Sequence, residues 1–406
     1  MDRADQEGAA TRDEPALHEA PDDASSEALA GRVQASGIRS VHFVAWRDLD
    51  DPEAGGSEIH AHEIASRWAS AGLEVTVRTS AIAGLASTGH RSGYEVARRS
   101  GRYRVFPSTI REGLRRRNEP GDAVVEVWNG MPFFSPIWHR GPRITFLHHV
   151  HEEMWQMALP GTLGRVGDLV ERKVAPPFYR NTPVVTLSDS SRAEILAQLG
   201  FRPDQVTVVP PGIDARFRAG AHKSPAPLVV AVGRLVPVKR FDHVIRALVE
   251  AKAARPDLRA VIIGEGYERP VLEELRSELG ADAWLEMPGY VTEDELVSYY
   301  QDAWVVTAAS KREGWGMTLT EAAACGTPAV ATNIAGHRDA VLDGHSGILV
   351  DDPAELGAQI ATVLTDKALR TKLSRGASQR ARWFNWDTTA AAAFDVLAAQ
   401  AERSRR

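Results

Sequence analysis

The sequence predicts an α/β protein made of two parallel-sheet domains, and three observations carry that prediction. Short apolar runs of strand length alternate with segments of helical period along most of the chain, the pattern of a parallel sheet with crossover helices. The 406 residues exceed what one domain of ordinary size uses. Glycine-rich loops follow apolar runs in both halves, at the carboxyl ends of predicted strands, where open α/β sheets bind ligands.

Composition narrows the class. With 43% hydrophobic and 25% charged residues, the chain reads as a soluble globular protein. Residues 1–36 hold nine acids against three arginines, which accounts for the whole formal charge of -6. The remainder is near neutral, so no nucleic-acid partner is expected. That first stretch lacks aromatics and is rich in Ala, Asp, Glu and Ser, which predicts a disordered acidic tail and ordered sequence from Ile38. No apolar run reaches about 18 residues, so no membrane span is expected. The acidic start is unlike a secretory signal and the single Cys325 can form no internal disulfide, which points to the cytoplasm. Cys325 lies in an Ala-rich segment and reads as a small core residue. Zinc-ligand spacings are absent, and apart from the loop pair Asp48 and Asp50 no Asp-any-Asp pair stands at the end of a predicted strand, so no metal is expected.

In chain order, Ser40 to Ala45 reads as a buried strand, and the loop after it ends in Ala54-Gly55-Gly56-Ser57. From Glu58 to Ala71, the residues Ile59, Ile64, Ala65, Trp68 and Ala69 recur with helical spacing; Gly72 supplies a stop and Val75 to Val77 the next strand. A strand, Gly-rich loop, helix and strand favour a phosphate-facing loop at Gly55-Gly56, although Gly-Gly marks many turns and the dinucleotide fingerprint is absent. Ala123 to Val127 and Arg143 to Leu147 are further strands, and the second delivers His148-His149-Val150-His151-Glu152 at its carboxyl end. The residues alone leave open strand-capping histidines, a metal site and a ligand-facing position, with no helical or carboxylate spacing to support the metal. Two arginine clusters, Arg98, Arg99, Arg102, Arg104 and Arg111, Arg115, Arg116, Arg117, read as solvated faces. Val184 to Ser188 is a strand, Ser190 caps a helix from Ser191 to Leu199, and Gly200 stops it. Val206 to Val209 then leads to Pro210-Pro211-Gly212-Ile213-Asp214.

Leu228 to Val232 opens the second half, and Gly233-Arg234-Leu235-Val236-Pro237-Val238-Lys239-Arg240 separates it from a helix over Phe241 to Ala254. Arg234 offers a forked donor and Lys239 a mobile point charge, between a strand and a helix, which suits a diphosphate. Ala260 to Ile263 ends in Gly264-Glu265-Gly266, Leu285 to Pro288 leads to Gly289-Tyr290-Val291, and Glu293 to Tyr300 is helical. Val305 to Ala308 feeds Ser-Lys-Arg-Glu-Gly-Trp-Gly-Met-Thr-Leu-Thr-Glu, residues 310–321. Gly314 and Gly316 let the backbone turn tightly, and the helix that follows opens with unpaired N–H groups and the positive end of its dipole. Such a start suits a phosphate. Glu313 precedes it and Glu321 stands about two turns inside; as acceptors at neutral pH they suit hydroxyls flanking a phosphate, the chemistry of a nucleotide sugar. Ala329 to Ala331 and Gly347 to Val350 are the last strands. Helices from Pro353 to Leu364 and to about Arg382 follow, then Trp383-Phe384-Asn385-Trp386-Asp387 and a final Ala-rich helix.

Ser310, Glu313, Gly314, Trp315, Gly316, Glu321, Ala322, Gly326, Pro328 and Ala329-Val330-Ala331-Thr332 together resemble the signature of retaining glycosyltransferases of family 4, which have the two-domain GT-B fold. The resemblance runs from about Ile38 to Ala398. It implies two doubly wound Rossmann-like domains facing a cleft: a disordered tail over 1–36, an acceptor-side domain over 37–218, a linker over 219–227, a nucleotide-sugar-binding domain over 228–383, and a crossing helix with tail over 384–406. By resemblance, Glu313 contacts donor-sugar hydroxyls, Glu321 the ribose, Arg234 and Lys239 the diphosphate, and Gly55-Gly56 approaches it from the first domain. Gly264, Tyr290 and Val291 border the base, Gly314, Trp315, Gly316, Met317 and Thr318 complete the donor loop, and either His148 or His149 faces the reacting sugar. Pro211 stands where relatives usually have Asn. The implied activity is transfer of a hexose-type sugar from a UDP- or GDP-sugar to a hydroxyl of a glycan, lipid-linked or small-molecule acceptor, with retention and with neither metal nor cofactor. Relatives that act on lipid-linked acceptors imply peripheral contact with the inner face of a membrane. The rival readings are a sugar-nucleotide epimerase, a phosphorylase or a catalytically silent nucleotide-sugar-binding module.

Overall fold

The computed structural model describes residues 26–116, 118–159 and 161–405. Two sheets carry the architecture. The first comprises β1 Ser40–Val44, β2 Glu74–Thr79, β3 Thr88–Arg91, β4 Tyr94–Arg98, β5 Asp122–Val127, β6 Arg143–Phe146, β7 Val184–Thr186 and β8 Val206–Val208, in the order 3-4-2-1-5-6-7-8. All its pairings are parallel except the β3/β4 hairpin. The second comprises β9 Leu228–Val232, β10 Arg259–Ile263, β11 Leu285–Gly289, β12 Val305–Ala308, β13 Ala329–Thr332 and β14 Gly347–Val350, wholly parallel in the order 11-10-9-12-13-14. Each order reverses once, between β1 and β5 and between β9 and β12. The crevices at those reversals are where ligands of doubly wound sheets bind. The loops leaving β9 and β12 are those that hold Lys239 and Glu313.

The central strands of both sheets are buried on both faces, as parallel sheets covered by helices require, while the edge strands β3 and β11 keep exposed positions. Helix Gly56–Ser70 buries Ile64, Ala65 and Trp68 on the first sheet, and helix Phe241–Ala254 buries Val244, Ile245 and Leu248 on the second. The chain leaves the first domain and returns to it at one crossing. Gly212 lies so close to this return that a Cβ there would stand 2.2 Å from the Trp386 nitrogen, and Ile213 pairs with Asn385. Helix Trp386–Arg405 then adds Ala390, Ala391, Phe394 and Leu397 to the core of the first domain, with Trp68 Nε1 donating to the Ala390 carbonyl at 2.9 Å. Trp386 is buried at this crossing, whereas Trp383 is half exposed.

Two expectations need correction, and one element went unread. Part of the tail expected to be disordered over 1–36 is helical: Ser26–Ser36 packs Leu29 and Val33, one turn apart, into the core that the C-terminal helix completes, and Arg32 pairs with Asp395 at 2.8 Å. Residues 1–25 lie outside the described residues. The β3/β4 hairpin was not read from the sequence, because Arg91, Arg98 and a Gly93 turn hide its alternation. Helix Asp189–Leu199 is capped by Ser188, whose hydroxyl accepts from Ser191 N at 3.1 Å, so Ser190 lies inside it. Among the described residues no helix is long and apolar enough to cross a membrane.

Candidate active site

The turn Pro237–Lys239 projects Lys239 from the loop after β9. Leu235 anchors that loop in the core, and the Gly264 loop nests against it so tightly that a Cβ at Gly264 would fall 2.0 Å from the Gly233 carbonyl. Lys239 Nζ lies 2.8 Å from Glu313 Oε1. The same oxygen accepts from Ser310 Oγ at 2.5 Å and lies 3.3 Å from His337 Nε2. Burial alone would raise the Glu313 carboxyl, but Lys239 and then His337 hold it well below the usual carboxylate range. Glu313 is therefore an anion at every physiological pH.

Glu321 behaves in the opposite way. It is the fifth residue of helix Met317–Ala324, one turn in rather than two, and accepts from the Tyr300 hydroxyl at 3.3 Å. Among the described residues no cation pairs with it, and burial raises its pKa from 4.5 to about 7. It is thus an acceptor in only part of the population at neutral pH. Between pH 4.5 and about 7 the folded protein keeps a proton that the unfolded chain releases, so stability falls as pH rises through that window. The whole effect is about 3 kcal/mol at most. In urea titrations, Glu321→Gln is expected to match the parent at pH 5 and to exceed it at pH 8; equal stabilities at pH 8 would refute the assignment.

From the first domain, Gly55 is the N-cap of helix Gly56–Ser70, and its N–H donates to Glu58 Oε2 at 2.8 Å. Glu58 Oε1 lies 3.2 Å from Arg47 Nε. The loop meets the second domain directly: a Cβ on Gly55 would sit 3.7 Å from Arg234 Nε, and one on Gly56 3.0 Å from Met317 Sδ. Burial first, then the neighbouring Arg47, lowers the Arg234 pKa, while Glu58 and Glu53 oppose the shift. Tyr290 also spans the cleft, its hydroxyl donating to the Pro52 carbonyl at 2.9 Å, while Val291 is partly buried beside it. Trp315 is buried and packs on Phe384 of the crossing segment, ring centroids 5.1 Å apart.

The histidine loop resolves into different partners. His148 Nε2 lies 3.3 Å from His60 Nδ1, inside the first domain, and burial holds it at about 4. His149 has neither ring nitrogen paired among the described residues although both are buried, and it stacks on His151 at 4.9 Å. It faces the second domain, where a Cβ on Gly314 would stand 3.3 Å from its Nδ1 and 2.7 Å from the His148 carbonyl. Burial, with His151 and Arg312, lowers its pKa far enough to keep the ring neutral. Fully buried Glu171, carried on the π-turn Val170–Val174, steadies the loop by accepting from His151 N at 3.2 Å and Trp155 Nε1 at 2.7 Å.

Other charges are structural. Asp48 and Asp50 hold Arg98, and Glu53 holds Arg102, so these two depart from the solvated face expected of the first arginine cluster, while Arg99 and Arg104 are exposed as expected. Of the second cluster, Arg111, Arg115 and Arg116 do lie on an exposed face, beside Leu114, and Arg117 lies outside the described residues. Among the described residues no group of three His, Cys, Asp or Glu could hold a metal ion. Buried Cys325 is pushed up to about 11, mainly by desolvation, which makes it an inert thiol. Sequence reasoning missed Arg47, Glu58 and His337 as neighbours of the site. The only available signal was their position after strands or at a helix start.

Two doubly wound domains with loops from both switch points converging on one cleft, and a last helix that crosses back, constitute the GT-B architecture. Solved structures of this shape include the sucrose-phosphate synthase of Thermosynechococcus elongatus, with a TM-score of 0.73 at 20% identity over 88% of this chain and 98% of that one. WaaG, a glycosyltransferase involved in lipopolysaccharide biosynthesis, gives 0.69 at 20% identity over 88% and 99%. HepE of Anabaena, solved with UDP-glucose, gives 0.69 at 18% identity over 89% and 99%. The family model described as Glycosyltransferase Family 4 matches residues 54–217, and that described as Glycosyl transferases group 1 matches 213–380. The chain belongs to the group 1, family 4 glycosyltransferases. The D-inositol 3-phosphate glycosyltransferase of Streptomyces bingchenggensis is 29% identical over 423 residues, covering 92% of this chain and 91% of that protein. That of Thermobispora bispora is 29% identical over 429 residues, covering 92% and 97%.

Proposed function

We propose that the cleft transfers a hexose from a nucleoside diphosphate sugar to an acceptor hydroxyl with retention of anomeric configuration. The observation that carries the reading is the 2.8 Å contact between Lys239 and Glu313, a phosphate-type cation beside a permanent acceptor for sugar hydroxyls. Arg234 and Lys239 take the diphosphate, with Gly55-Gly56 closing over it. Glu313 orients the sugar, Glu321 accepts from the ribose, and the strip at Gly264, Tyr290 and Val291 borders the base. Of the two histidines, His149 contacts the reacting sugar. Acceptor oxygen attacks C1 from the leaving-group side: the C1–O bond to the acceptor forms as the C1–O bond to phosphate breaks, and the departing phosphate takes the acceptor proton. Neutralising the charge that grows on that phosphate is the main task of Arg234 and Lys239, and a closed cleft limits hydrolysis.

The structures of HepE with UDP and glucose and with UDP-glucose support a uridine nucleotide as the first donor to try. The names of the curated relatives support a phosphorylated cyclitol as the first acceptor. The test is incubation with a panel of UDP- and GDP-sugars and polyol acceptors, with the anomeric proton coupling of the product read by NMR. An α-linked product from an α-linked donor is expected; a β-linked product overturns retention, and binding without turnover supports a silent module instead. Transfer is expected to persist in EDTA within about twofold, since the two cations supply the charge a metal would; a loss above tenfold contradicts metal independence. Peripheral membrane contact would use Arg111, Arg115 and Arg116. Co-sedimentation with anionic liposomes, and none with neutral ones, is the expected result.

A further inference from the structure

We infer that Arg312 couples closure of the two domains to assembly of the site, a positioning residue that acts through the histidine loop. The inference rests on the proposed reading of the cleft. Arg312 immediately precedes Glu313 in the second domain, yet its whole guanidinium is spent on the first. Nε donates to the Val150 carbonyl at 2.9 Å, Nη1 pairs with Glu152, and Nη2 donates to Glu194 Oε2 at 2.5 Å. Val150 and Glu152 flank His151 in the loop that carries His149, and Glu194 belongs to helix Asp189–Leu199. One side chain therefore grips two separate elements of the first domain around the histidine whose nitrogens are unpaired.

Neighbouring contacts make the grip a coupling. Ser188 and Ser191, at the start of the same helix, donate to the Gly314 carbonyl at 3.2 and 3.3 Å. Within the second domain, Lys311 N donates to the Val238 carbonyl at 2.8 Å, tying the loop to the turn that carries Lys239. Glu152 is held at a φ of 44°, a left-handed conformation that a non-glycine residue keeps only where its surroundings over-determine it. With the guanidinium gone, Glu152 and Glu194 would face each other without the cation between them, and the loop would lose both its anchor and its charge balance. Burial first, then Glu152, already raises the Glu194 carboxyl; Arg312 and, more weakly, Arg338 oppose this. Lysine at this position could hold one oxygen but not a carbonyl and two carboxylates in the plane of a fork. The pair Lys311–Glu153 is exposed and lies at the rim, where it contributes little.

The experiment compares the full chain with Arg312→Ala, Arg312→Lys and Glu194→Gln by small-angle X-ray scattering without ligand, and by kinetics with the active donor and acceptor. Arg312→Ala is expected to enlarge the radius of gyration and lower kcat by about 100-fold, the scale of a misplaced reactive geometry. Affinity for uridine or guanosine diphosphate should stay within about threefold, because Arg234 and Lys239 remain, and donor hydrolysis per transfer should rise. Arg312→Lys should fall between, and Glu194→Gln should shift scattering in the same direction by less. If Arg312→Ala does not fold, Glu194→Gln carries the test. Unchanged scattering, with or without a loss of kcat, overturns the coupling. If the parent protein turns over no nucleotide sugar while the scattering shift appears, the proposed function falls and the closure contact stands.

Discussion

Lys239→Ala lowers kcat by about 100- to 1,000-fold, the cost of removing one preorganised donor from the place where charge develops in the transition state. Affinity for the donor falls less, because Arg234 still meets the diphosphate and the sugar contacts remain. A second consequence follows from the geometry. Lys239 is the cation that keeps the buried Glu313 ionised against its desolvation. Without it, only His337 and Ser310 support the carboxylate, so the Glu313 pKa rises and an acid limb from Glu313, absent in the parent, is added to the kcat profile. Lys239→Arg is not expected to restore turnover, since a planar fork cannot occupy the point position 2.8 Å from Glu313 Oε1 without moving the turn. Steady-state kinetics across pH 5 to 9 check both claims. Turnover of Lys239→Ala within threefold of the parent would remove the role assigned to this residue.

His149→Ala and His148→Ala should fail in different ways. The His149 ring has no hydrogen-bond partner among the described residues, so truncating it removes two buried unpaired polar atoms and costs little stability. It does remove a neutral imidazole, which can give one donor and one acceptor to a sugar. The expected loss is about 100-fold in kcat, the lower end for one positioned group, with Tm nearly unchanged. His148 is packed with His60 at a ring distance of 4.9 Å and shares a hydrogen bond with it. Truncating it leaves a cavity and a second unpaired nitrogen on His60, a loss of about 2–4 kcal/mol. The folded fraction should keep most of its activity. The reverse pattern in thermal melts and kinetics would exchange the two assignments.

Much of this was legible before folding. The alternation of apolar runs and helical segments determined the parallel sheets, since burial on both faces writes a continuous apolar strand. Residues 233–240 and 310–321 announced themselves because a phosphate-facing loop needs glycine and cations at a strand end, all within a few residues. Reading those residues could not separate the two glutamates. Both are acids in one motif, yet Glu313 is held far down and Glu321 is raised to about 7. The difference comes from Lys239 and His337, which are remote in the chain.

The same limit explains the other surprises. Adjacent residues of an extended chain point to opposite sides, so one of His148 and His149 had to face inward. Which one was decided by His60, brought alongside by helix Gly56–Ser70. The helix Ser26–Ser36 looked like a polar tail because its apolar stripe is only Leu29 and Val33; it is buried by a C-terminal helix that returns to it from the far end of the chain. Arg312 carried no signal of its own between Lys311 and Glu313, because its partners Val150, Glu152 and Glu194 lie in the first domain. The sequence by itself determined the fold class, the family and the loops that hold the site, because those properties reside in short-range pattern. Only the tertiary structure decided protonation, pairing and the contacts across the cleft, because each depends on groups that folding brings together from opposite domains or distant segments.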